Sequence, residues 1–210
     1  MTDAIVFLGI QGSGKGTQAK ILAEKTGYQH VNIGDLFREQ VANGSKLGNE
    51  VKSIISRGDL VSDELVFDLV NSSLCSACPG IIFDGFPRTP AQAKFLISNY
   101  HVKRVYYLSL SEEDAISRIE ARRICSDCGE NFNLISRKPR HDGICDLCGG
   151  KLKQRADDTG EAIKQRVKEF YAQTFALKEF FAEAGLLKTI SASGSIVVIS
   201  QEIMLDLAKL

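Results

Sequence analysis

The sequence predicts an α/β fold with a central, mainly parallel sheet between helical layers. Three observations carry this. The apolar runs are short and do not alternate with polar residues, as strands buried on both faces require. Stretches with helical spacing separate them. A glycine-rich loop joins the first run to the first helix.

The elements follow in order. Ala4-Ile5-Val6-Phe7-Leu8 is the first buried strand, and glycines begin at Gly9. A helix is predicted over residues 15–25, with Ala19, Leu22 and Ala23 on one face. Residues 33–61 are polar and carry Gly34, Gly44, Gly48 and Gly58, so they read as an insertion projecting from the core. Ser62-Asp63-Glu64 offers a cap and a first turn of carboxylates to a helix whose apolar stripe is Leu65, Val66, Leu69 and Val70. Ile81-Ile82-Phe83, ending in Asp84, and Val105-Tyr106-Tyr107-Leu108 are two further buried strands. Residues 125–153, with four cysteines and little aliphatic content, form a second insertion. Asp158, three residues before Glu161, predicts a capping box. One long helix should follow, because Ile163, Val167, Phe170, Thr174, Leu177 and Phe181 recur at steps of three or four. Residues 196–199 fit a strand, but with Ile203, Leu207 and Leu210 they also extend a helical stripe.

Composition removes whole classes. Twenty-six Lys+Arg balance 26 Asp+Glu, so the net charge is zero and no basic excess serves a nucleic-acid or membrane surface. At 44% hydrophobic the chain of 210 residues can bury a core, so disorder is not expected. No apolar run approaches the roughly 20 residues of a membrane span. Met1-Thr2-Asp3 lacks a basic n-region, so the expectation is a soluble, cytoplasmic protein without a membrane or nucleic-acid partner.

Gly9-Ile10-Gln11-Gly12-Ser13-Gly14-Lys15-Gly16-Thr17 lies between the first strand and the first helix. Its glycines let backbone N–H groups curl into one hollow. The helix N-terminus adds partial positive charge there, and Lys15 a full one. Such a hollow holds the phosphates of a nucleoside triphosphate, and it makes the fold a three-layer P-loop arrangement. The usual signature places Ser or Thr directly after the lysine, whereas here Gly16 intervenes before Thr17. Asp84, at a strand's C-terminal end, faces the crevice where such sheets bind ligands and offers a carboxylate for Mg²⁺.

Gly12-Ser13-Gly14-Lys15-Gly16-Thr17-Gln18, Gly34-Asp35-Leu36-Phe37-Arg38 and Asp84-Gly85-Phe86-Pro87-Arg88 resemble the adenylate kinase family in sequence, order and spacing. Gly58-Asp59-Leu60-Val61-Ser62-Asp63 and Arg155-Ala156-Asp157-Asp158 match further segments, so the resemblance covers nearly the whole chain. It implies Mg²⁺-dependent, reversible transfer of a phosphoryl group, ATP + AMP ⇌ 2 ADP, serving adenine-nucleotide homeostasis and salvage. It also implies a division into core (1–32), AMP-binding insertion (33–61), core (62–124), lid (125–153), and lid hinge with core (154–210).

Phosphoryl transfer demands alignment and neutralisation of the equatorial oxygens, for which guanidinium groups suit phosphate through paired hydrogen bonds. Under the resemblance, Gly12, Ser13, Gly14, Lys15, Gly16 and Thr17 hold ATP phosphates, and Lys15 follows the migrating group. Arg38 and Arg88 hold the AMP phosphate. Arg122, Arg155 and Arg166 surround the transferred group, and Arg118 lies against the ATP adenine face. Gly85 and Gln92 belong to the AMP site, where Gln92 reads the base. Asp84, Asp157 and Asp158 organise Mg²⁺ or help close the lid. Arg123, beside Arg122, has no assigned role. Ile33 replaces the family's usual threonine near AMP, which bears on base selection, and Gln11 replaces a common proline.

Cys125, Cys128, Cys145 and Cys148 form C-x₂-C-x₁₆-C-x₂-C, the spacing of a closed four-thiolate Zn²⁺ site with a structural role. Iron fits the same ligands. Some adenylate kinases carry such a zinc-bearing lid. Cys75 and Cys78 read as ordinary thiols rather than a redox or metal pair, and His30, His101 and His141 as solvated or core histidines. A UMP or CMP kinase of the same fold is the alternative enzyme. A zinc-ribbon nucleic-acid binder with a vestigial loop is the alternative from another class, opposed by Asp127, Glu130, Asp142 and Asp146 in the ribbon. Family likeness implies a monomer acting on ATP, AMP and ADP.

Overall fold

The computed structural model describes residues 1–75 and 77–210. In chain order it runs β1 (Asp3–Leu8), α1 (Lys15–Thr26), β2 (Gln29–Asn32), α2 (Ile33–Ala42), α3 (Lys46–Arg57), α4 (Asp63–Ser73), β3 (Gly80–Asp84), α5 (Pro90–Asn99), β4 (His101–Ser109) and α6 (Glu112–Glu120). The second half continues with β5 (Arg122–Cys125), β6 (Asn131–Asn133), β7 (Leu152–Lys153), α7 (Gly160–Glu169), a π-helical turn (Phe170–Thr174), α8 (Leu177–Glu183), β8 (Leu187–Ser191) and α9 (Ile196–Leu207).

The main sheet is parallel throughout, in the order β2-β3-β1-β4-β8. Successive β1 side chains serve opposite faces, as the two-residue period of a strand requires. Ala4, Val6 and Leu8 join Phe83, Phe86, Leu96, Val105 and Phe181 on one side. Ile5 and Phe7 join Leu22 of α1, Tyr106, Ile190, and Ile199 and Ile203 of α9 on the other. The sheet therefore lies between two apolar layers, and β1, buried on both faces, brings its loop to the middle of the strands' C-terminal edge. No described helix is long and apolar enough to cross a membrane.

Two strands escape the apolar-run criterion because both are sheet edges. β2 reads Gln-His-Val-Asn, with Val31 alone buried, and β8 reads Leu-Lys-Thr-Ile-Ser. The ambiguous segment 196–199 is helical: the Ser195 hydroxyl accepts from the Val198 N–H at 3.3 Å and caps α9. The cap of α7 is Thr159, which accepts from Ala162 N–H, and not Asp158, whose carboxylate is used elsewhere. The expected continuous helix is interrupted at Phe170–Thr174 by the π-helical turn, yet Ile163, Val167, Phe170, Leu177 and Phe181 remain buried along it. Ser62 precedes α4 without a side-chain cap bond.

Residues 33–57 form the pair α2 and α3, capped by Asn32 and Ser45. A separate antiparallel sheet, β6-β5-β7, carries the cysteine-rich segment. Cys75 and Cys78 correct their reading as thiols: they are joined as a disulfide, with Cα atoms 5.6 Å apart, where the chain leaves α4.

Candidate functional site

The loop after β1 curls because glycines there adopt a backbone other residues avoid. Gly12 has φ 84°, and a Cβ on it would stand 2.6 Å from the Ala115 carbonyl oxygen. The turn thus depends on both its conformation and its lack of a side chain. Lys15 opens α1, and its Nζ donates to the carbonyls of Gly9 (2.7 Å) and Ile10 (2.9 Å), so it lies folded over the hollow. Burial pushes its pKa down to about 8, against the opposing attraction of Asp84. Gly16 explains the departure from the usual signature: a Cβ there would approach Asp84 Oδ2 to 3.1 Å.

Asp84 ends β3 and is buried. It accepts from Asn32 Nδ2 at 2.6 Å, while His30 Nε2 stands 3.6 Å away. Burial alone would raise its pKa, but His30, Lys15 and Arg88 outweigh this and hold it below its ordinary value. His30 is therefore not an idle histidine, because β2 places it beside the carboxylate at the phosphate loop. Asn32 was missed as well. Its Oδ1 caps α2 through Asp35 N–H while its Nδ2 holds Asp84, and Asn-x-x-Asp ahead of a helix is the signal that marks it. His101 likewise faces a carboxylate, Asp3, at 2.8 Å.

Four of the expected arginines converge on two adjacent carboxylates. Arg122 grips Asp158 through Nε (2.8 Å) and Nη2 (2.5 Å), and Arg166 reaches Asp158 at 3.2 Å as well as Asp157. Arg155 binds Asp157 at 3.1 and 3.0 Å, and Arg38 lies 3.6 Å from it. Burial would raise the Asp157 pKa, yet Arg155, Arg166 and Arg38 hold it well below the usual carboxylate range. Of the two roles expected for Asp157 and Asp158, this geometry favours holding arginine-bearing segments together over organising Mg²⁺. Arg123 turns back onto the carbonyls of Glu120 and Arg122.

Arg38 and Arg88 each lie over a glycine. A Cβ on Gly34 would meet the Arg38 guanidinium at 3.0 Å, and one on Gly85 would meet Arg88 Nη2 at 3.0 Å. Arg88 Nε donates to Gly85 O at 2.8 Å, and Thr174, on the π-helical turn, donates to Arg88 O at 3.0 Å. Burial lowers the Arg88 pKa to about 10, which leaves it cationic at neutral pH. Ile33 is buried in the first turn of α2, with no hydroxyl to offer. Gln92 is buried and already engaged at both ends of its carboxamide, with Asp63 and with Arg88 N–H. Arg118 donates to Ala192 O at 2.9 Å, beside the α9 N-terminus.

Lys15, Asn32, Asp84, Arg38, Arg88, Arg118, Arg122, Arg155 and Arg166 border one cleft of about 550 Å³, whereas His30, Arg123, Asp157 and Asp158 lie outside its lining. In the strand order β2-β3-β1-β4-β8, Ile33 and Gly85 follow β2 and β3 on one side, Ser195, Val197 and the Arg118 partner Ala192 follow β8 on the other, and Lys15 follows the central β1. Outside the cleft, the sulfurs of Cys125, Cys128, Cys145 and Cys148 lie within 4.8 Å of one another, at 3.4 Å for Cys125–Cys148 and 3.6 Å for Cys128–Cys145. Tetrahedral thiolates about 2.3 Å from Zn²⁺ stand roughly 3.8 Å apart, so the donor set fits that ion. The two knuckles match: Cys125 N–H donates to Glu130 O (2.9 Å) as Cys145 N–H does to Gly150 O (2.8 Å). The Cys125 thiol is held down at about 7, chiefly by the Cys128 N–H, which favours the thiolate.

Comparison with known proteins places the chain in a family. Residues 7–186 match the family model described as adenylate kinase. A protein named adenylate kinase from Thermosipho africanus is 41% identical over 95% of this chain and 97% of its own. Others so named, from Caldicellulosiruptor saccharolyticus (38%) and Borreliella burgdorferi (40%), each cover 95% of this chain and 96% of their own.

Proposed function

The chain belongs to the adenylate kinase family and moves a phosphoryl group reversibly between ATP and AMP, and we propose how its residues divide that work. The observation that carries the division is the placement of Lys15 between two chemically different ends of one cleft. ATP lies with its base toward Arg118 and Val197 and its phosphates on the backbone hollow. AMP lies with its base toward Ile33 and Gln92 and its phosphate between Arg38 and Arg88.

The transfer is direct, without a phosphoenzyme. Lys15 exchanges the Gly9 and Ile10 carbonyls for phosphate oxygens and stays with the group as it moves. Arg122, Arg155 and Arg166 turn from Asp157 and Asp158 toward the equatorial oxygens. Those carboxylates keep three cations together before anionic substrate arrives, which lowers the cost of assembling them. Mg²⁺ with ATP supplies further neutralisation of the phosphates. Asp84, kept ionised beside Lys15, is the carboxylate suited to its waters.

Cys125, Cys128, Cys145 and Cys148 hold Zn²⁺, which supplies folding energy to a small lid and takes no part in the chemistry. Closure of that lid excludes water, which otherwise accepts the phosphoryl group. One chain supplies all these cations, and we take it to act as a cytoplasmic monomer.

The test is ADP formation from MgATP with AMP, UMP, CMP and GMP as acceptors, with zinc measured on the same sample. AMP should be strongly preferred, with one zinc per chain. Greater turnover of UMP or CMP would overturn the base assignment.

A further inference from the structure

The geometry points to Asp63 as a positioning residue that fixes which way round the Gln92 carboxamide faces and so decides between adenine and 6-oxopurine nucleotides. The inference rests on Gln92 reading the AMP base.

Asp63 is the first residue of α4, and Gln92 lies in the first turn of α5. Gln92 Nε2 donates to Asp63 Oδ1 at 2.7 Å, and Gln92 Oε1 accepts from Arg88 N–H at 2.7 Å. Thr89 ties the pair together: its hydroxyl donates to both Asp63 oxygens at 3.0 Å and accepts from Gln92 N–H at 3.2 Å.

An amide's oxygen and nitrogen are nearly isosteric, but these two neighbours are not interchangeable. An ionised carboxylate only accepts, and a backbone N–H only donates. The nitrogen must therefore face Asp63 and the oxygen Arg88. The reversed amide would set oxygen against carboxylate and N–H against N–H, leaving buried groups unpaired. Each end has used half its capacity, so one N–H and one lone pair remain for a ligand, in a fixed order.

That order matters chemically. The Watson–Crick edge of adenine carries an acceptor, N1, beside a donor, the 6-amino group. Hypoxanthine and guanine carry the opposite, a donor N1–H beside an acceptor O6. A locked carboxamide matches one pattern and opposes the other. A carboxamide free to turn over accepts both.

The competing account is purely structural, because Thr89 and Gln92 sit at N-cap and N3 of α5 and Asp63 braces that turn. Base preference separates the two accounts, since a bracing role has no means of distinguishing purines. In Asp63→Asn the side chain can donate as well as accept. The ratio of kcat/KM for AMP over IMP should fall about tenfold, with KM for AMP rising and KM for ATP unmoved. Gln92→Ala is measured alongside. If Gln92→Ala leaves the ratio intact, the base-reading premise is wrong. If it collapses the ratio while Asp63→Asn keeps it within twofold of the parent, the lock is wrong and the premise stands. Should Asp63→Asn fail to fold, Asp63→Ser, which also removes the acceptor-only carboxylate, is read by the same ratio and the same limits.

Discussion

Lys20, on α1 of the core, reaches across to Glu130, just beyond the first cysteine pair, with Nζ 2.5 Å from Oε2. Glu130 is nearly buried and takes a second cation, Arg137, at 2.5 Å through its other oxygen. Its backbone carbonyl accepts from Cys125 N–H, so the first cysteine knuckle fixes where this carboxylate stands. Burial would raise the Glu130 pKa, but Lys20 and Arg137 overcome that and hold it below its ordinary value.

Glu130→Gln should loosen the lid against α1. Lys20 is half exposed, so the pair is worth about 0.2–1 kcal/mol, a factor of roughly 1.4 to 5 in the closed population. KM for ATP should rise by that factor, and ATP hydrolysis without AMP should increase as water enters. Steady-state kinetics at low and high salt check this, since the parent enzyme at high salt should approach the variant. Identical KM and identical hydrolysis in both proteins would exclude the latch.

Lys15 gives the ATP site its own pH dependence. Its pKa of about 8, against an ordinary 10.5, means that the ligand-free enzyme loses this charge as pH rises through 8. Phosphate favours the charged form, so binding ATP should take up a proton near pH 8, and affinity should fall between pH 7 and 9. Calorimetry in two buffers of different ionisation enthalpy reads that uptake directly. Stability runs the opposite way. Between about 8 and 10.5 the unfolded chain holds a proton at this lysine that the folded chain does not. This group's contribution therefore makes the ligand-free protein more stable as pH rises through that window. No proton uptake at pH 8 would show that Lys15 stays charged in the empty cleft.

The chain's local chemistry was largely legible, and its long-range geometry was not. β1, β3 and β4 are buried on both faces, so their apolar runs announce them. β2 and β8, at the sheet's edges, are short and half-polar and carry no such mark. Lys15, Arg88 and the four lid cysteines stand in contiguous motifs whose spacing encodes the chemistry. The Asp63–Gln92 contact joins residues 29 apart, and Lys20–Glu130 joins residues 110 apart, so neither leaves a local pattern. Asp158 misled as a cap because a carboxylate ahead of a helix serves an N-terminus and a guanidinium equally well. Only the fold shows that Arg122 and Arg166 claim it and leave capping to Thr159.

The lid's core consists of Cys125, Phe132 and Cys145 with Leu152 packed against them, far too little apolar surface to order some 30 residues. Under the proposed zinc site, the metal supplies what burial does not. Cys145→Ser, or removal of zinc by a strong chelator, should unfold the lid while β1, β3 and β4 stay paired. Calorimetry should then show a lower or newly split transition, because the lid would melt apart from the core. Activity should fall through kcat as well as KM for ATP, since Arg122, assigned to the transferred group, stands on the same strand as Cys125. AMP affinity should hold, because Arg38, Arg88 and Gln92 lie on α2 and around the N-terminus of α5. An unchanged melting curve in a sample shown to be metal-free would mean that the four sulfurs sustain the lid alone, and the structural role of zinc would be withdrawn.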